Sequence, residues 1–200
     1  MHFETAPPFQ TVSVHQILEK KHASIDVKSN IAIFLHQPTC SVESVNGIIR
    51  SLSPAHNIKL FTKHKVEDDF FDDVDLVVFP GGQGDASAYG HLLRVNHDDI
   101  KAFLQRGGKY LGVCMGAYWA GPEGFDLVPG LEVEQYIRAP GAEVRRSYPT
   151  TVAVEWQGVP RRMFFWDGPV FRGPGEVVAR YANGEAMAVV AGRVGLIGCH

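Results

Sequence analysis

Cysteine is scarce in this chain: the three residues Cys40, Cys114 and Cys199 form neither a CxxC pair nor the dense, even spacing of a secreted disulfide framework. A reducing, cytoplasmic setting is therefore expected. Long apolar runs are missing as well, since no stretch approaches the roughly eighteen uninterrupted residues that a membrane helix needs. Residues 1–30 hold Pro7, Pro8 and several charges but no apolar leader core, so neither a signal peptide nor a membrane partner is expected. Positive charge is not in excess either. A formal net charge of −3 gives no electrostatic pull toward nucleic acid or anionic lipid. The expected partner is a small-molecule substrate or ligand, with a homo-oligomer compatible with the same composition. A Cys-His metal cluster would need further ligands at orderly spacing, so no metal and no other cofactor is expected.

What the chain does have is enough apolar content, 45% of 200 residues, to bury one sizeable core. Residues 1–30 read as an N-terminal arm with a short helix near Val14 to Lys21, and residues 31–200 as one domain. Ile31 to His36 is a continuous apolar run stopped by Gln37 and Pro38, the pattern of a strand buried on both faces. Val42, Val45, Ile48, Ile49 and Leu52 recur at helical spacing as far as Pro54, which predicts an amphipathic helix over Ser41 to Ser53. Asn57 to Phe61, Val74 to Phe79 and Lys109 to Val113 follow as strands. Asn96 is placed to cap a helix carrying Ile100, Phe103 and Leu104, which Gly107 and Gly108 end. Such alternation predicts an α/β fold with a mostly parallel central sheet.

Beyond residue 130 the pattern changes to short runs split by Gly and Pro: Leu131 to Tyr136, Thr150 to Trp156, Arg161 to Trp166, Glu176 to Tyr181, Ala186 to Ala191 and Val194 to Cys199. These read as strands and extra β-hairpins completing the same sheet. The acidic run Glu67 to Asp73 reads as a solvated face.

The chemistry concentrates at Gly112-Val113-Cys114-Met115-Gly116, a G-x-Cys-x-G segment where a buried strand should meet a helix. A strained turn there lifts the side chain out of the sheet, and the helix that follows points its N–H groups at the sulfur. Those groups favour the thiolate. An attacked carbonyl develops an oxyanion, for which the N–H of Met115 and that of Gly81 or Gly82 are the candidate donors. His200, at the end of the last strand, is the candidate base. Tyr89, Tyr118, Trp119 and Trp166 are candidates to line a pocket, and His91 and His97 are the other histidines that could approach Cys114.

Three segments, FPGGQGDASAYG, KYLGVCMGAYWAG and VGLIGCH, resemble the site segments of the class I glutamine amidotransferase-like superfamily, and most closely its biotin-protein ligase N-terminal domain-like branch. The resemblance runs in order over residues 31–200 and is specific in those segments. It implies a single flavodoxin-like three-layer domain with the nucleophile elbow after a central strand. It also implies Cys114 as nucleophile, His200 as base, and Gly82 with Met115 at the oxyanion hole. Glutaminase members resemble G-x-C-x-G-x-Q followed by His-Pro-Glu, whereas here Tyr118 stands in place of the glutamine and nothing follows His200. A third member must then come from a tail or from another acid, Glu43 or Asp167. The resulting expectation is a cysteine-dependent hydrolase or acyl transferase acting on a small amide or carbonyl substrate. One alternative is a non-catalytic metabolite-binding or regulatory module. A further alternative is DJ-1/PfpI-like cysteine chemistry, which would set Glu43 beside Cys114.

Overall fold

The structure, a computed structural model, describes residues 28–35, 41–82 and 94–199. Residues 1–27 of the expected arm over 1–30, with its expected helix, and Cys40, Tyr89, His91 and His200 lie outside the described residues, and Asn30 already belongs to the first strand. Apolar runs become strands where expected. These are β1 (Asn30–Phe34), β2 (Asn57–Phe61), β3 (Leu76–Phe79) and β4 (Lys109–Val113). The second half supplies β5 (Glu132–Gln135), β6 (Thr150–Trp156), β7 (Val159–Phe165), β8 (Pro169–Arg172), β9 (Glu176–Tyr181), β10 (Ala186–Ala191) and β11 (Val194–Ile197).

All belong to one eleven-stranded sheet whose main path runs β2-β1-β3-β4-β11-β10-β9-β6-β7, with β5 and β8 attached beside β10. The expectation of a mostly parallel sheet is corrected here. Among the described residues only β2, β1, β3, β4 and β11 pair in parallel; every ladder from β11 onward through β10, β9, β6, β7, β8 and β5 is antiparallel. The reason is connection length. The first half has helix-sized crossovers that return a strand in the same direction, whereas the short Gly-Pro and Asn-Gly turns of the second half can only reverse it.

Among the described residues three α-helices flank the parallel half. In α1 (Val42–Leu52), Ser41 supplies the N-cap, its side chain accepting from the Ser44 N–H at 3.2 Å, and Val45, Ile48 and Leu52 bury against the face of β1 and β3 that carries Ile31, Ile33 and Val78. Helix α2 (His97–Gln105) buries Ile100 and Phe103 on the opposite face with Ala32, Val77 and Phe79. Helix α3 (Met115–Trp119) joins that second face through Met115, Ala117 and Trp119.

Asn96 sits at the N-cap of α2, as its residue type predicts, but its side chain makes no cap hydrogen bond. It is buried, and it pins the 62–66 loop instead: its amide donates to the Thr62 and His64 carbonyl oxygens at 3.3 and 2.9 Å and accepts from the Val66 N–H at 3.2 Å. Trp119 is a core residue rather than a pocket wall, packed edge-on against Phe34 and Phe79.

Candidate active site around Cys114

Cys114 ends β4 and begins α3 with φ at 50° and ψ at −104°. A positive φ is uncommon for a residue with a Cβ, and it persists only where the surroundings hold it. They do so here from several sides. The Cys114 N–H donates to the Ile197 carbonyl oxygen at 2.8 Å, extending the β4–β11 ladder, and its own carbonyl accepts the Ala117 and Tyr118 N–H groups as the first turn of the helix. Gly116 then passes so close to the end of β3 that a Cβ there would lie 2.1 Å from the Phe79 carbonyl oxygen. Only glycine allows that approach. The Gly116 N–H donates to the Pro80 carbonyl oxygen at 3.2 Å, and the Tyr110 hydroxyl, buried in the core, donates to the Gly116 carbonyl oxygen at 2.7 Å. The two glycine-containing turns thus meet at the carboxyl ends of neighbouring parallel strands, where ligands of open α/β sheets bind.

Within that meeting the Gly81 N–H is already committed, donating to the buried Ser44 hydroxyl at 2.9 Å. Of the expected donors, Gly81 is therefore occupied, and Gly82 is the next N–H along the loop. The Met115 N–H lies at the sulfur, where it favours the thiolate. Burial opposes it and is the larger effect: with Asp167 adding like-charge repulsion, the thiol is pushed up to about 12. The resting group is a protonated thiol, 3% exposed, directed at the Trp166 carbonyl oxygen 3.9 Å from Sγ.

The segment 166–168 holds two expected candidates, Trp166 and Asp167, in a crossing that the motifs did not foretell. It crosses β11 so tightly that a Cβ on Gly168 would sit 1.5 Å from the Gly198 carbonyl oxygen, and the Gly168 carbonyl accepts the Tyr136 N–H at 3.0 Å. Asp167, in the left-handed region at φ 58°, follows Trp166 in the chain, and its charge acts on the sulfur. Tyr118, one helical turn after Cys114, donates its hydroxyl to the Asp167 carbonyl oxygen at 3.4 Å. Burial raises the Tyr118 phenol, with the Asp167 and Cys114 charges adding to it, so it remains an O–H donor. Gln135, at the end of β5, donates its amide to Asp167 Oδ2 at 2.9 Å. No spacing rule points to Gln135. The Asp167-Gly168-Pro169 turn signal was the available clue to the crossing.

Other expected residues fall elsewhere. Glu43 is an exposed residue in the first turn of α1; its carboxylate accepts from the Ser41 hydroxyl at 3.0 Å, and backbone hydrogen bonding, then Ser41, holds it below the usual range. Cys114 has Asp167 for its acidic neighbour instead. His97 stacks on Phe125, a member of the core on the other face of the sheet. Trp166 is 40% exposed, presenting its carbonyl to the sulfur and part of its ring to solvent. Cys199 shares the buried face of Cys114 and is likewise kept protonated by burial. Among the described residues no group of three or more His, Cys, Asp or Glu side chains is arranged to hold a metal, and no helix is long and apolar enough to cross a membrane.

Comparison with solved structures places this architecture. The chain is similar to a glutamine amidotransferase from Thermotoga maritima, with a TM-score of 0.63 at 18% identity over 87% of this chain and 76% of that one. It is also similar to a glutamine amido transferase from Methylobacillus flagellatus, at 0.56 and 15% over 87% and 70%. A β-galactosidase from the psychrophilic Marinomonas ef1 matches at 0.50 and 12% over 86% of this chain and 26% of that one. Such likeness establishes the fold and leaves the chemistry to the site. No curated protein matches the chain. A family model described as "Biotin-protein ligase, N terminal" matches residues 29–133, the span that holds β1 to β4 and the elbow, and the chain belongs to that family.

Proposed function

We propose that this is a glutamine amidotransferase-like protein that uses Cys114 for covalent acyl chemistry, hydrolysing or transferring the acyl group of a small amide or related carbonyl compound. The observation that carries the reading is the backbone at Cys114. A cysteine held at φ 50° between a parallel strand and a helix serves no packing need that an alanine in relaxed geometry would not serve, and strain of this kind concentrates at reacting groups.

In the proposed cycle His200 takes the thiol proton while sulfur bonds to the substrate carbonyl carbon. The carbonyl electron pair moves to oxygen, where the N–H groups of Met115 and Gly82 meet the charge. Collapse expels the amine or alcohol, which carries away the proton from His200. Water then attacks the thioester, its proton passing to the histidine and on to the departing sulfur. Asp167 is the acid that this reading keeps at the site. Glu43, which a DJ-1-like chemistry would need beside the sulfur, is exposed and accepts a hydrogen bond from the Ser41 hydroxyl.

A second reading, a non-catalytic ligand-binding module, draws on the burial of the thiol and its rise to about 12, which leave Cys114 unreactive until something changes around it. The two are separated by trapping. The protein is incubated with p-nitrophenyl acetate and acyl adducts are located by mass spectrometry of the peptides. Acetyl-Cys114 that forms and turns over, and is lost in Cys114→Ser and slowed in His200→Ala, supports the enzyme. Absence of any adduct at Cys114 while exposed side chains are acetylated favours the binding module.

A further inference from the structure

Asp167 has one oxygen that the proposed cycle does not use. Its Oδ2 is engaged by the Gln135 amide at 2.9 Å, whereas Oδ1 is shielded from solvent without a hydrogen-bond partner. A carboxylate oxygen removed from water with no donor is costly, and native structures retain few such atoms without a use for them. The residue that carries this atom adjoins the reacting centre in the chain, and its charge acts on the sulfur. The preceding residue, Trp166, gives its carbonyl to the Cys114 sulfur at 3.9 Å, and the Asp167 carbonyl receives the Tyr118 hydroxyl. A molecule whose carbonyl carbon meets that sulfur therefore brings its adjoining atoms to the 166–168 crossing.

Among the described residues the charges around this point are few. Asp167 is acidic, and burial raises it above its ordinary range, while hydrogen bonding from Gln135 and Ser147 and the charge of Arg138 pull the other way. Arg138 is exposed and makes no ion pair with Asp167 among the described residues. Exposed charges are screened by salt, shielded ones far less. Among the described residues the Asp167 carboxylate is the charge that acts on the sulfur, and its complement is a cation that can donate.

We propose that Asp167 is a specificity-determining residue, accepting a hydrogen bond from a protonated amine that the substrate carries beside its reacting carbonyl. The inference rests on the reading of Cys114 as nucleophile. It adds that the acyl donor is a cationic amino-acyl compound and that anionic ones are turned away.

Three alkylating reagents of similar size test it: 2-bromoethylammonium, iodoacetamide and iodoacetate. The rate of each at Cys114 in the native protein is divided by its rate at the same cysteine in the urea-unfolded chain, which removes intrinsic reactivity, and the effect of thiol ionisation, common to all three, cancels in the ratio of one reagent to another. The cation-to-anion ratio is expected to be about tenfold or more above unity. In Asp167→Asn, whose residue type tolerates the left-handed backbone, it should return to within about twofold of unity. The ratio of the parent should also shrink in 0.5 M salt, a readout that stands even where the variant folds poorly. A parent ratio near unity, or the same ratio in Asp167→Asn, overturns the selectivity while leaving the nucleophile in place. A Cys114 that reacts with none of the three in the native protein removes the nucleophile reading, and this inference with it.

Discussion

The thiol of Cys114 and the backbone carbonyl of Trp166 face one another at 3.9 Å, a weak S–H donor against a good acceptor. The contact suits a protonated sulfur and no other state. An ionised one would be set against the carbonyl oxygen and the Asp167 carboxylate together, so the site rests in its neutral form.

A consequence follows for alkaline stability. The Cys114 pKa rises on folding from 9.0 to about 12, so above pH 9 the unfolded chain releases a proton that the native chain retains. Stability conferred by the protonated thiol is complete below pH 9 and is lost as the pH climbs toward 12, at up to about 1.4 kcal/mol per pH unit for one proton. Urea titrations at pH 8 and pH 10 should show a smaller alkaline loss for Cys114→Ala than for the parent. Equal losses would mean that the thiol ionises alike in both states.

Removing the Asp167 charge should act on the same equilibrium from the native side. The repulsion of the carboxylate raises the thiol, so Asp167→Asn moves the alkylation profile of Cys114 with iodoacetamide to lower pH. The rate at pH 8 should increase by roughly threefold to tenfold. The direction is the decisive part: a profile moved to higher pH would show that Asp167 assists the thiolate.

Glycine substitutions should separate crowded positions from open ones. Gly168→Ala sets a methyl group against the Gly198 carbonyl, whereas a Cβ at Gly47, on the exposed side of α1, meets nothing within 4 Å. The first should lower stability by about 1–3 kcal/mol and expose Cys114 to alkylation as the crossing gives way. The second should raise stability by about 0.5–1 kcal/mol through helix propensity. Thermal unfolding of both variants, with peptide mapping of the first, checks the pair.

Asn96→Ala should cost about 2–3 kcal/mol, because it leaves two carbonyls and one N–H of the 62–66 loop without the amide that serves them. Asn96→Asp should not rescue it, since a carboxylate accepts but cannot donate. Chemical denaturation of the two variants distinguishes this from ordinary helix capping, which aspartate would preserve.

The parallel half of the fold was legible because its signals are local. An apolar run ended by Pro80, a helical stripe capped by Ser41, and the glycines around Cys114 each state a backbone requirement within a few residues. What the sequence hid is non-local. Strand β8 was missed because Pro169 opens it, although proline is tolerated at the first position of a strand, and the direction of the later strands depended on turns whose partners lie far along the chain. At the site, spacing did not show that the segment of Asp167 meets Cys114. That depends on the contact of Gly168 with Gly198, which no pattern in either segment announces. Gly81 looked equivalent to Gly82 until Ser44, on another element, proved to hold its N–H.

Strand β11 comes after all the other strands in the sequence yet lies between β4 and β10, joining the parallel ladders to the antiparallel ones. Until β11 is in place the edges of β4 and β10 lack the strand that joins them, and the elbow of Cys114 lacks its ladder partner Ile197. The pairing of β11 with β4 is a long-range step of the kind that folds slowly. A nascent chain held before residue 194 should be the species that chaperones bind, and the cysteine should acquire its backbone geometry only as that gap is filled.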